Sequence, residues 1–473
     1  MTSPGNTTSA TAPSSFHTAY IWTICLIAAL GGLLFGYDWV VIGGAKPFYE
    51  QFFHLTQPAQ LGWAMSCALI GCLLGALLAG TMSDRFGRKR LLIVSACLFA
   101  ISSIGTGSAN TFSTFVAWRI TGGLAIGLAS TLSPMYIAEV APAYVRGRLV
   151  SINQLTIVIG ILLAQIVNWR IAKPVPGNAT AEQILNSWNG QVGWRWMFGV
   201  TALPAALFFA GMLLVPESPR WLAKRGVHEK ARRILARIGG NSYANQAMAE
   251  IKATLVSERQ SAGFKELFAA GVRKPLLIGV VLAAFQQWCG INVIFNYAQE
   301  VFSAAGFQIS DMLFNIVITG AVNLVFTFVA MATVDRFGRR ILMLGGAVGL
   351  AVIYLSLGAA YQAHIQGTYT VVLVVAAIAC YAMSLAPVTW VVISEIFPNR
   401  IRGTAVSLAV AALWIASFIL IVTFPALNGK IGAAGTFWTY AVICIAGFFF
   451  IHWKLPETKG MTLEEIEDTY MKQ

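Results

Sequence analysis

Charge is what this sequence has least of. Asp, Glu, Lys and Arg make up only 11% of the 473 residues, about half the share of an ordinary soluble domain. Histidine is also scarce. The five (His17, His54, His228, His364 and His452) lie far apart in sequence, and no zinc spacing appears. The seven cysteines (Cys25, Cys67, Cys72, Cys97, Cys289, Cys380 and Cys444) all fall inside apolar runs. They read as small membrane-buried side chains, so no disulfide framework is expected. No Lys is followed by Ser or Thr, so a P-loop of the usual form is absent. There is no Gly-x-Ser-x-Gly elbow and no pair of intramembrane acids, which argues against a membrane enzyme. No cofactor and no metal is expected.

Apolar residues are what the sequence has in excess. They make up 57% of the chain, and the mean hydropathy is +0.70. A membrane-crossing helix takes about 20 apolar residues, so twelve would use roughly 240. That leaves half the chain for ends and loops. The expected fold is all-α integral membrane, which excludes a soluble enzyme, a coiled coil and a disordered protein. The formal net charge of +13 would suggest nucleic acid in a soluble protein. Here the basic residues sit in short loops between apolar runs, which points to topology and to no nucleic-acid partner.

Residues 1–19 are rich in Ser, Thr, Pro and Ala and read as a disordered tail. They carry no Lys or Arg, so they make a poor signal-peptide start. Twelve apolar runs follow, near 20–45, 61–82, 91–109, 113–138, 149–168, 194–215, 275–302, 312–334, 341–362, 369–393, 404–424 and 435–453. An even number places both termini on one side. Of the 32 Lys and Arg, 26 fall in segments on that side. Both termini are therefore expected in the cytoplasm, in a cell inner (plasma) membrane.

The two halves of the chain repeat. Asp84-Arg85-Phe86-Gly87-Arg88 follows span two, and Asp335-Arg336-Phe337-Gly338-Arg339 follows span eight, 251 residues later. Glu139 with Arg146-Gly147 ends span four, and Glu395 with Arg402-Gly403 ends span ten, 256 residues later. Pro216-Glu217-Ser218 and Pro456-Glu457-Thr458 end spans six and twelve, 240 residues apart. The expected domains are six-helix bundles at 20–219 and 273–455. A cytoplasmic helical linker at 220–272 joins them, and a tail at 456–473 follows. Asp84, Glu139 and Glu217 sit among Arg88, Arg146 and Arg220. Asp335, Glu395 and Glu457 sit among Arg339 and Arg402. Each exposed pair is worth only about 0–1 kcal/mol. Several together can bias a conformational equilibrium, so these residues read as a cytoplasmic gate that locks one bundle to the other.

These motifs, together with Pro216-Glu217-Ser218-Pro219-Arg220-Trp221-Leu222 and Pro456-Glu457-Thr458-Lys459-Gly460, resemble the sugar porters of the major facilitator superfamily. The resemblance runs along nearly the whole chain, and within the family it is strongest to bacterial xylose–proton symporters. It implies alternating access, with two bundles rocking about a sugar site near the bilayer midplane. It also implies a monosaccharide, a proton and the lipid bilayer as partners, in a monomer.

Ionisable groups inside membrane helices cost roughly 2.5–3.5 kcal/mol on insertion scales, so they are functional candidates. Asp38, in Phe35-Gly36-Tyr37-Asp38 of span one, and Arg119, in Trp118-Arg119-Ile120 of span four, stand out. Beside Arg119 the carboxylate stays ionised; moved away into a drier site it favours the proton. The two read as a proton-coupling pair. The resemblance supports this, since the symporters carry both residues and facilitative glucose carriers usually lack the acid.

A neutral polyol wants groups that both donate and accept, which favours amides. Span seven holds Gln286-Gln287-Trp288-Cys289-Gly290-Ile291-Asn292. On an ideal helix Gln286 and Tyr297 share a face. Gln287 and Asn292 do not, but Gly290 lies between them and can break the helix. Gln154 in span five and Asn323 in span eight add amides. Phe35, Trp390 and Trp414 offer rings for the apolar face of a sugar. The resemblance implies that Gln154, Gln286, Gln287, Asn292, Asn323, Trp390 and Trp414 all match the family's sugar contacts. Three positions depart from the symporters: Ile161 and Leu413 replace Gln, and Thr201 replaces Glu. Ile161 matches glucose carriers, so pentoses and hexoses both stay open, D-xylose and D-glucose among them. The expected function is proton-coupled monosaccharide symport. The alternatives are a facilitative uniporter and a sugar sensor; sensors tend to carry long signalling tails, and only about 20 residues follow span twelve.

Overall fold

The computed structural model describes residues 16–176, 179–258, 272–397 and 401–457. Parts of the expected N-terminal tail, linker and C-terminal tail lie outside them, as do the side chains of Asp335 and Arg402. Among the described residues, eleven helices are long and apolar enough to cross a membrane. The last, Arg402–Lys454, has 53 residues. A helix of that length reaches about 80 Å, more than twice a hydrocarbon core of roughly 30 Å. It turns at Gly432, where φ is 69°, and so supplies spans eleven and twelve. The protein is an all-α membrane protein of twelve crossings in two six-helix halves.

Helix ends differ from the apolar runs where a charge was read as a boundary. Span one is Thr18–Phe52, with Lys46 and Pro47 inside it. A lysine followed by proline reads as a helix end, but here the ammonium finds carboxylate partners and the helix continues. At its start this helix takes in Thr18 and Ala19 of the expected tail. The linker holds two described helices, Pro219–Lys224 and His228–Glu258. The second kinks at Gly239 and Gly240 and buries Ile234, Leu235 and Ile238.

Without a hydrophobic drive between helices in lipid, close packing needs small residues at the crossing points. Glycine pairs supply it. A Cβ added to Gly71 or Gly75 of span two would lie 2.1 Å from the Ile120 oxygen or 2.4 Å from the Leu124 oxygen of span four. Added to Gly123 or Gly127 of span four, it would lie 1.9 Å from the Ala68 oxygen or 2.2 Å from the Cys72 oxygen. Span one meets span five the same way, with Gly36 against Ile157 (1.9 Å) and Gly160 against Leu33 (2.0 Å). These seams hold spans one and four at fixed depth, and those two spans carry Asp38 and Arg119.

Close approaches between the halves cluster at the end of the molecule away from the termini. A Cβ on Gly62 would sit 2.4 Å from the Val422 oxygen, and one on Gly43 2.6 Å from the Phe295 oxygen. The Val175 amide donates to Ser310 Oγ at 3.1 Å. At the other end Gly147 meets nothing within 4 Å, and Tyr144 is exposed.

Candidate functional site

The first half supplies a buried ion pair. One Arg119 nitrogen, Nη1, donates to both Asp38 oxygens, at 2.9 and 3.0 Å. Nη2 donates to the Asp38 backbone oxygen at 3.4 Å. Each residue is 3% exposed. The Phe198 ring lies 5.4 Å from the Arg119 carbon Cζ. Arg119 Nε has no protein partner, so the guanidinium is not fully used by the carboxylate. A narrow cavity lined by Trp39, Met65, Arg119, Asn296 and Ile421 brings this pair to the boundary with the second half.

The second half supplies amides. Span seven breaks at Gly290, where φ is +88°, and its segments are Arg273–Trp288 and Ile291–Asn296. A side chain there would press on the Tyr440 ring, so both dihedral and space require glycine. The break rotates the second segment. Asn292 Nδ2 then donates to Gln287 Oε1, which an unbroken helix would not allow. Gln287 Nε2 donates to Gln286 Oε1 at 2.9 Å. All three amides are less than a tenth exposed. Asn323 of span eight is also buried. Gln154 is half-buried.

Aromatic rings join the halves. Phe35 of span one lies 6.0 Å from Trp414 of span eleven. Trp39 lies 5.9 Å from Trp414 and 6.2 Å from Phe35. The Trp414 indole N–H is buried without a protein partner, leaving a donor beside an apolar ring surface. Trp39 was not singled out from the sequence, because one Trp in an apolar run carries no signal. Trp390 is half-buried, beyond a break of span ten at Ser384.

Tyr297 is the amide-site candidate that the structure puts elsewhere. Its hydroxyl donates to the Ile421 oxygen at 2.7 Å, and its ring packs 4.4 Å from Phe424. The shared face with Gln286 assumed an unbroken helix, and the turn at Gly290 removes that face. Tyr297 braces span seven against span eleven within the second half.

The cytoplasmic-gate residues also form a different pattern from the one expected. Arg88 pairs with Asp84 at 3.1 Å and Glu139 at 3.0 Å, and Asp84 with Lys224 at 2.7 Å. Arg339 pairs with Glu395 at 3.2 Å. Each pair lies within one half or joins it to the linker. Arg146 is exposed and donates to the Ala141 oxygen, while Arg220 is half-buried. Glu217 accepts from the backbone N–H groups of Arg88 and Lys89, at 3.0 and 3.1 Å. Glu457 accepts from those of Arg339 and Arg340, at 2.8 and 3.0 Å. These two acids therefore cap the positive N-termini of spans three and nine. The halves approach at the other end, and the Asp335 and Arg402 side chains lie outside the described residues.

An ionic contact that crosses the halves involves Lys46, which the sequence reading does not single out. It is 2% exposed. Its ammonium lies 2.9 Å from Glu50 and 2.8 Å from Glu300 and donates to Gln299 Oε1 at 3.1 Å. Gln299 Nε2 in turn donates to Glu50 Oε1 at 3.0 Å. Glu300 and Gln299 follow span seven, 253 residues or more from Lys46. No local pattern reports such a pairing.

Comparison with known proteins agrees with this architecture. The family described as "Sugar (and other) transporter" matches residues 24–470. The D-xylose-proton symporter of Escherichia coli K12 is 43% identical, over 96% of either chain. The glucose transport protein of Synechocystis is 39% identical, over 98% of this chain and all of that one. The inward open conformation of the xylose transporter XylE from E. coli superposes with a TM-score of 0.83 at 40% identity, over 95% of this chain and 99% of that one. The chain belongs to the sugar transporter family, within the major facilitator fold.

Proposed function

We propose that this protein is a proton-coupled monosaccharide symporter that works by alternating access. The observation that carries the reading is a buried Asp38–Arg119 pair in one half together with a hydrogen-bonded Gln286–Gln287–Asn292 cluster in the other. A carboxylate beside a guanidinium stays ionised, and separation in a dry site favours its proton. Rocking of the two bundles changes which side of the membrane reaches the pair, and a local shift of Asp38 away from Arg119 then loads and releases H⁺. The amides and the Phe35, Trp390 and Trp414 rings hold the polyol, with Gln154 and Asn323 completing the site. The moving bodies are residues 20–219 and 273–455, tied by the 220–272 linker.

The sugar is a pentose or a hexose; the relatives act on xylose and on glucose. The basic-residue bias supports cytoplasmic termini in a bacterial inner membrane. The protein works as a monomer in the bilayer. A charge crossing 100 mV gains about 2.3 kcal/mol. One proton can therefore sustain roughly a fiftyfold sugar gradient, at 1.4 kcal/mol per tenfold.

Sugar-driven proton uptake into proteoliposomes, read as external alkalinisation, tests the reading. Alkalinisation is expected on adding sugar to wild-type vesicles. Sugar flux without it would make the protein a facilitative uniporter, and sugar binding without flux a sensor.

A further inference from the structure

Gln165, in span five, is not among the residues assigned above. It is 1% exposed, yet neither its amide nitrogen nor its amide oxygen has a protein partner. Buried polar groups in folded proteins are almost always paired, and an orphan amide needs a reason. Its position suggests one. Gln154, Ile161 and Gln165 are spaced seven and four residues apart, which puts them on one helix face. Across the seam is Gly320 of span eight. A Cβ there would fall 1.8 Å from Gln165 Oε1, so glycine makes the room that the amide occupies. Asn323 lies three residues along the same face of span eight, one turn closer to the termini end. Gln165 thus lies on the face of span five that carries Gln154, packed against span eight on the boundary between the halves.

Resting on the sugar-transport reading, we propose that Gln165 is a further sugar-contacting residue and that it reads the hydroxymethyl arm that hexoses carry and pentopyranoses lack. The position one turn closer to the termini end, Ile161, is apolar. Hydrogen-bonding capacity on this seam is therefore displaced outward by one turn, about 6 Å. A sugar seated with its exocyclic CH₂OH toward that end brings to Gln165 an arm that a pentopyranose lacks. Its hydroxyl both donates and accepts, which suits an amide with both ends free.

Equilibrium binding of D-glucose and D-xylose to the purified full chain, with thermal midpoints, tests this in wild type, Gln165→Leu and Gln165→Asn. Gln165→Leu should weaken glucose binding about tenfold, on the scale of one buried hydrogen bond, and change xylose binding less than about twofold. Its midpoint without sugar should stay level or rise, since an unpaired buried amide is removed. Gln165→Asn, shorter by one methylene, should also weaken glucose selectively. Glucose binding unchanged in both variants overturns the proposal, as does an equal loss for both sugars. A lowered midpoint with parallel loss of both sugars makes Gln165 a packing residue and overturns it too. Wild type that binds xylose and not glucose removes the hexose assignment. Wild type that binds neither sugar sinks the transport reading itself, a separate failure.

Discussion

The two halves share a fold and an internal repeat but carry opposite chemistry at the centre. The first half presents charge: a carboxylate and a guanidinium, each 3% exposed, in direct contact. The second half presents neutral amides linked to one another across a helix break at Gly290. The repeat is kept at the helix ends. Glu217 and Glu457 cap spans three and nine in the same way, next to Gly87 and Gly338 with φ of 95° and 93°. It is lost at the midplane. Helix ends solve a problem common to both halves, namely unsatisfied backbone N–H groups. No such shared requirement fixes the buried polar residues away from the helix ends, so the duplicated scaffold is free to differ there.

Substitutions can separate the halves. The largest expected effect is from Asp38→Asn, which keeps the shape and removes the carboxyl group. Uphill accumulation should fall to zero while sugar binding persists, measured as steady-state uptake against equilibrium binding. Accumulation that survives would break the division of labour. Next is Lys46→Met, which leaves Glu50 and Glu300 facing each other without their cation. Breaking a buried pair this way costs about 3–5 kcal/mol. The halves should part at the end away from the termini, read as a longer label-to-label distance between spans two and eleven there. Restoring closure by adding Glu300→Gln to Lys46→Met would assign the effect to charge.

Gln287→Ala should weaken sugar binding by about 1–3 kcal/mol, the cost of leaving buried partners unpaired. Asp38-dependent proton binding in the absence of sugar should not change. A joint loss of both would mean that the halves are not separable. The smallest effect belongs to Lys224→Ala. Its pair with Asp84 is nearly half exposed on both sides, and such pairs contribute about 0–1 kcal/mol. A shift of the thermal midpoint beyond that range would show that the linker carries more of the first half's stability than exposure allows.

Much of this was legible because its causes are local. A crossing helix is twenty apolar residues in a row, and a repeat is a recurring string. An intramembrane charge is visible wherever it stands, so the sequence itself offers Asp38 and Arg119 as a pair. Gly290 was legible as a break, since glycine between two amides relaxes the helix that would hold them apart. Tyr297 was misread for the same reason in reverse: a helical face was extended through a residue that ends it. The gate charges were read as ties between halves, although spacing along a chain says nothing about which ends of two bundles touch.

The sequence alone determined the twelve crossings, the duplication, the buried acid–guanidinium pair and the amides of span seven, because hydropathy, periodicity and burial cost act within a helix or between matching strings. Only the tertiary structure decided that Lys46 reaches Glu300, that Trp39 joins Trp414 and that Gln165 lies under Gly320. Those contacts join side chains brought together by the packing of two bundles, and in lipid that packing follows shape and small residues, not a hydrophobic pattern written along the chain.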